Sequence, residues 1–236
     1  QCNFCERNMC ATLAIQHPGW TAKLLSVTEA VDFIRSIMRL KQADYFFVVG
    51  VAGPGDPLAN DQTFEALNLI HKGYPHILKC MSTNGLLLED KLADIIDVGI
   101  RALTVTINAA DSQVGKSIYS WVSYGGTVYR GEEAAGLLLA KQFSGIRKAV
   151  DAGLTIKVNT VLIPSVNDGQ MPKLAMRIKE AGAKIMNIMP LIPSGKMKNR
   201  LGPSCDELRK ARRECEKIIP QFRRCEQCRA DVMYLP

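Results

Sequence analysis

A chain of 236 residues that is 47% apolar can fill one large α/β core, and no window reaches the ~18 consecutive apolar residues of a membrane-spanning helix. The net charge of +7 comes from late Lys and Arg residues interleaved with Asp206, Glu207, Glu214 and Glu216. That pattern describes a solvated helix face rather than a nucleic-acid footprint, although a basic rim also suits an anionic cluster or an acidic partner protein. Eight cysteines without a secretory pattern favour thiolate–metal chemistry in a reducing cytoplasm over disulfides.

The chain opens on Cys2-Asn3-Phe4-Cys5, followed closely by Cys10. A Cys-x-x-Cys turn points two sulfurs at one metal centre, and a cluster or a zinc takes about four ligands, so others are expected elsewhere in the chain or upstream of Gln1. Ser26 or Thr28 caps a helix running to about Leu40. The apolar run Tyr45 to Val51 reads as a buried parallel strand, and it ends in the tight turn Ala52-Gly53-Pro54-Gly55-Asp56-Pro57. Asn60 or Asp61 caps the next helix.

The alternation then continues. Strands are expected over 77–82, 102–108, 155–162 and 185–189, with helices over 90–98, 132–152 and 171–181. Residues between 109 and 131, including Tyr119, Trp121, Tyr124 and Tyr129, read as a long excursion whose aromatic side chains cover the core or form a lid. Strands alternating with helices imply parallel βα units, with polar or Gly/Pro loops at the C-terminal strand ends where such folds place their sites. Five strands do not close an eight-stranded barrel, and the cysteine loop looks like one that follows a strand. The expected fold class is therefore α/β, a partial (β/α)6 TIM-type barrel over 1–193 whose first strand lies upstream of Gln1. A tail over 194–236 carries a charged helix from Cys205 to Ile219 and the second pair, Cys225-Glu226-Gln227-Cys228.

A cysteine loop at a barrel mouth, followed after the next strand by a Gly/Pro turn with an acidic residue, resembles the radical S-adenosylmethionine (SAM) superfamily. Cys2 and Cys5 match the last two positions of its Cys-x3-Cys-x-x-Cys motif. Six blocks resemble one branch of it, the NifB family of nitrogenase cofactor maturases: 49–60, 82–86, 104–109, 118–122, 157–159 and 185–193. So does the terminal Cys225-x-x-Cys228-Arg229-Ala230-Asp231.

That resemblance implies a catalytic 4Fe–4S cluster on Cys2, Cys5 and an upstream cysteine, whose open iron takes the methionine part of SAM and whose reduction cleaves SAM to a 5′-deoxyadenosyl radical. It implies a cofactor pocket of Gly53, Gly55, Asp56, Asn84, Thr106 and Asn159, with Asp56 near the ammonium group and Ile188 or Met189 against the adenine. Cys10 and Cys80 then hold a first substrate cluster, and Cys225 and Cys228 a second. The implied reaction fuses two 4Fe–4S clusters with a SAM-derived carbon and a sulfur into the eight-iron precursor of the nitrogenase cofactor. The implied partners are a cluster donor and a cofactor scaffold protein, with no nucleic acid and no membrane.

The stretch Ala11 to His17 departs from the family's polar segment. Read without the resemblance, Cys225 and Cys228 equally suit a structural zinc, and Cys80 suits a small buried hydrophobe. Cys205 and Cys215 are nearly opposite in helical phase, so at most one faces a site. The three histidines read as loop or surface residues. An auxiliary-cluster enzyme acting on a peptide or small molecule, or a non-catalytic cluster carrier, are the other functional expectations.

Overall fold

The computed structural model describes residues 1–5, 25–40, 48–51 and 55–222. Helix α1 (Val27–Leu40) begins at a capping box, in which the Glu29 N–H donates to the Ser26 hydroxyl and the Ser26 N–H to the Glu29 carboxylate. Strand β1 (Val48–Val51) leads through a short 3-10 turn to α2 (Asp61–Gly73), whose first turn is capped by the Asn60 side chain accepting from Gln62 N–H. Next come β2 (Leu78–Thr83), α3 (Leu92–Asp97) and β3 (Ala102–Thr106).

The stretch read as an excursion is structured. It forms a seven-residue helix α4 (Ser112–Ile118) and an antiparallel hairpin, β4 (Trp121–Tyr124) with β5 (Thr127–Arg130). The long α5 (Gly131–Asp151), β6 (Thr155–Leu162), α6 (Met171–Glu180), β7 (Ile185–Pro190) and α7 (Cys205–Glu216) complete the described fold.

The main sheet is parallel throughout, in the order β1-β2-β3-β6-β7, so strand neighbours follow chain order apart from the hairpin. Each crossover carries a helix, which is the βα repeat expected from the alternating pattern. Burial alternates along the strands. Leu103, Val105, Ile156, Val158, Met186 and Ile188 are almost fully buried and join one core with Leu67, Ile95, Leu139, Ile146, Leu174 and Ile178. Their neighbours Cys80, Ser82, Thr104, Thr106 and Lys157 are only half-buried, so the opposite sheet face stays partly open. Among the described residues no helix is long and apolar enough to cross a membrane.

The last described residues belong to the same body. Helix α7 packs on α6 and β7, and the Arg212 guanidinium donates twice to the Ile188 carbonyl at 3.1 and 2.8 Å. Beyond it, the Met186 N–H donates to the Pro220 carbonyl and the Phe222 N–H to the Met186 carbonyl, laying Gln221 parallel to the far edge of β7.

Candidate active site

Cys2 to Cys5 form one tight turn closed by the Cys5 N–H donating to the Cys2 carbonyl at 3.2 Å, and both thiols are half-buried. Two elements clamp this turn. On one side Cys2 bridges antiparallel to Tyr119; the Asn3 N–H donates to the Ile118 carbonyl at 2.7 Å and the Asn3 amide to the Ser117 carbonyl at 2.9 Å, while the Ser120 N–H donates to the Gln1 carbonyl. On the other side the loop after β7 reaches over, and the Lys196 N–H donates to the Asn3 carbonyl at 2.8 Å. A glycine is required there. Gly195 has φ +55°, and a Cβ on it would sit 2.9 Å from the Asn3 oxygen and 3.4 Å from that of Cys5.

The clamp places the thiols at the C-terminal ends of the strands. The buried Tyr119 hydroxyl accepts from the Asn108 N–H at 3.1 Å, just past the end of β3. Burial first, and then the negative charge of the Cys2 thiolate nearby, hold that phenol well above its ordinary pKa. Tyr119 is therefore a neutral pillar between the cysteine turn and the sheet.

A second clip joins the loops after β1 and β2. The Asp56 carboxylate accepts from Leu58 N–H at 3.1 Å, from the Thr83 hydroxyl at 2.9 Å and from Asn84 N–H at 2.6 Å. Burial, outweighing these donors, raises its pKa above the ordinary carboxylate value. The Asn84 side chain accepts from Leu86 N–H, shaping a turn at whose centre Gly85 adopts φ +78° with no room for a Cβ, since Val105 Cγ1 would lie at 2.7 Å. Buried Gln142 of α5 donates to the Asn84 and Thr106 carbonyls at 2.6 and 2.9 Å, fixing the ends of β2 and β3 relative to one another.

Register assembles the third feature. Thr106 pairs with Asn159, and Asn159 with Asn187, so three polar residues form one row across β3, β6 and β7 on the partly open face. The Asn187 amide donates to the Asn159 side-chain oxygen at 3.1 Å, while the Asn187 oxygen is buried and accepts from no donor. Met189 follows Asn187 on that face by the period of two; Ile188 lies on the opposite, core face. Cys80 sits two rows deeper, paired with Gly50 and Ala102, and a Cβ on Gly50 would stand 3.3 Å from its sulfur. Gly55, at φ +103°, is exposed with open space around it.

Gly53, Cys10, Cys225 and Cys228 lie outside the described residues, as do His17 and the stretch 11–17. Among the described residues no group of three or more His, Cys, Asp or Glu converges. Cys205 is exposed at the start of α7, whereas Cys215 is buried.

The profile of the Radical SAM superfamily matches residues 1–178 of this sequence. The FeMo cofactor biosynthesis protein NifB of Methanocaldococcus infernus is 44% identical over 234 residues, covering 99% of this chain and 76% of the relative. The chain belongs to the NifB family of the radical SAM superfamily. Its likeness to the NifB of Klebsiella pneumoniae is 39% over 241 residues, where it spans about half (51%) of the relative's length. Among solved structures, a radical SAM methyltransferase from Sphaerobacter thermophilus superposes with a TM-score of 0.60 at 20% identity, over 92% of this chain and 61% of that one, a likeness of fold.

Membership of the superfamily implies a 4Fe–4S cluster and SAM, and the described residues fit both. Two thiols on a turn held from two sides offer sulfur donors of fixed direction. The orphaned Asn187 oxygen is a buried acceptor lacking a donor, and beside it stands Asn159, so the row offers hydrogen bonds to a polar ligand on the open face. Sequence reasoning named Thr106 and Asn159 but missed Asn187, Gln142, Tyr119 and Asn3. Asn187 was visible in principle, since it pairs in phase with Asn159 once the two strands are aligned.

Proposed function

We propose that this chain is a radical SAM enzyme of nitrogenase FeMo cofactor biosynthesis, joining two 4Fe–4S clusters with a SAM-derived carbide and a sulfur into the eight-iron precursor. The observation that carries the reading is the clamped Cys2–Cys5 turn at the same strand ends as the Thr106–Asn159–Asn187 row, in a chain 44% identical to a NifB. In this reading Cys2 and Cys5 hold the resident cluster, which when bound supplies the electron that cleaves SAM. Gly53, Gly55, Asn84, Thr106, Asn159 and Asn187 contact SAM, with Met189 rather than the core-facing Ile188 against the adenine. Asp56, whose carboxylate accepts from Leu58, Thr83 and Asn84, serves the pocket chiefly by locking its two loops together.

The substrate clusters are assigned to Cys10 with Cys80, and to Cys225 with Cys228. The parallel pairing of Gln221 with Met186 supports the second pair, because it directs the chain toward the strand C-termini four residues before Cys225. The fold corresponds to a partial (β/α)6 barrel over 1–193 with a cluster-binding tail over 194–236. The enzyme acts as a methyl-transferring lyase in the cytoplasm, between a cluster donor and a cofactor scaffold protein.

Anaerobic reconstitution followed by SAM and reductant tests this. Conversion of about two four-iron clusters into one larger species, with S-adenosylhomocysteine and 5′-deoxyadenosine, is expected, and Cys5→Ala abolishes 5′-deoxyadenosine. Persistent cleavage in Cys5→Ala removes the catalytic assignment, and cleavage with every cluster intact assigns the chain to an auxiliary-cluster reaction instead.

A further inference from the structure

The loop after β7 does more than clamp the cysteine turn. It is held at three points: Gly195 presses on the Asn3 and Cys5 carbonyls, Met197 is buried, and Gly202 packs so closely on the Leu191 carbonyl that a Cβ would lie at 2.8 Å. Two successive turns, Lys198 N–H to Gly195 carbonyl and Arg200 N–H to Met197 carbonyl, fix the path between these points.

What this pinned loop shows to solvent is cationic. Lys196, Lys198 and Arg200 are all exposed, no acidic residue occurs between Leu191 and Ser204, and among the described residues these three cations make no ion pair. Two large apolar side chains flank them, Ile192 at 49% exposure and Leu201 at 86%. Some surface cations meet carboxylates, as Lys91 does with Asp61 and Asp94, Lys148 with Glu89 and Lys173 with Asp111; others, such as Lys184 and Lys210, stand apart as these three do, but not on a loop pinned to the cysteine turn. A preformed patch of cations that meet no carboxylate among the described residues, with apolar anchors beside it, suits a partner of opposite charge, because complementary fields raise the encounter rate and a rigid patch loses little entropy on docking.

We infer that the 192–201 loop is the docking surface for an acidic one-electron carrier protein, delivering electrons to the metal centre on the cysteine turn that the same loop holds. The inference rests on the cluster-bearing reading of Cys2 and Cys5. The step is a single electron transfer: the carrier is oxidised by one electron, the cluster is reduced by one, and no bond or proton moves. The route from this surface to the cysteine turn is short, because Lys196 N–H donates directly to the carbonyl of Asn3, between the two cysteines.

The test uses the reconstituted full chain and a reduced acidic 2Fe–2S ferredoxin, following cluster reduction by stopped-flow absorbance, with dithionite as the small-molecule comparison. Between about 50 and about 500 mM salt the ferredoxin rate falls steeply for the wild type. Lys198→Glu/Arg200→Glu lowers the low-salt ferredoxin rate about tenfold or more while leaving iron content and the dithionite rate unchanged. Lys198→Gln/Arg200→Gln, which removes charge without reversing it, gives an intermediate loss and guards against misfolding of the double reversal. Ferredoxin reduction that ignores salt, or that proceeds equally fast in both variants, overturns the docking surface. A wild-type protein carrying the upstream cysteine that takes up no cluster refutes instead the reading of Cys2 and Cys5 on which it rests.

Discussion

Replacing Asp56 by Ala separates a structural clip from a ligand contact, because the clip acts without any cofactor. The substitution leaves the Thr83 hydroxyl, on a residue only 3% exposed, still accepting from Gly85 N–H but with no acceptor for its own proton, and frees the Leu58 and Asn84 N–H groups. A buried hydroxyl proton left without an acceptor costs about 1–2 kcal/mol, and each N–H that water recovers costs up to about 1 kcal/mol. Relief of a partly buried charge offsets some of this, leaving about 2 kcal/mol near neutrality and a midpoint about 4–8 °C lower. The offset depends on pH in a fixed direction. Burial raises the Asp56 pKa above 3.8, so its contribution is fully present below that value and declines as pH rises through the folded pKa. The loss in Asp56→Ala is therefore larger in acid than at neutral pH. Urea unfolding of the apoprotein at several pH values measures it. A neutral-pH loss below about 0.5 kcal/mol refutes the clip and leaves Asp56 to the ligand alone.

Gly195→Ala forces a Cβ toward the Asn3 and Cys5 oxygens at a φ of +55°, so it lowers iron uptake at the cysteine turn while circular dichroism stays native; unchanged iron refutes the clamp. Burial pushes the Cys215 thiol up to about 12, so at pH 8 iodoacetamide modifies exposed Cys205 in the native apoprotein and reaches Cys215 only on unfolding. Rapid native labelling of Cys215 contradicts its place in the core.

The five parallel strands were legible because β-branched runs at regular spacing have few other uses: 155–162 is recovered without change, and the other three fully described strands to within two residues. For the expected 45–51 strand, Val48–Val51 is recovered and the rest lies outside the described residues. In the 109–131 stretch Tyr119 covers the core as expected, but the helix and hairpin there were not foreseen, for two local reasons. Helix α4 is short and contains Gly115, needed because a Cβ there would meet Ala135 Cβ at 2.8 Å, and this breaks the helical signature. The hairpin carried a readable sign, Gly125-Gly126 between aromatic and β-branched residues, and both glycines take the positive φ that a two-residue turn demands. Of the candidate site, the cysteines and the in-phase Thr106 and Asn159 were visible in the sequence. Asn3 and Gln142 were not, since each acts through partners at least 36 residues away, nor was Tyr119, whose role depends on pairing with distant Cys2 as well as on its bond to Asn108.

Among the described residues, the cysteine turn is held by distant sequence: Ser117 to Trp121 on one side and Gly195 to Lys196 on the other. During synthesis the thiols emerge long before β7 and its loop, on which their final geometry waits, almost two hundred residues later. On the proposed cluster-bearing reading of Cys2 and Cys5, metal capture with native geometry is thus a late event in the life of the chain, and until then the two are ordinary thiols in need of a reducing environment.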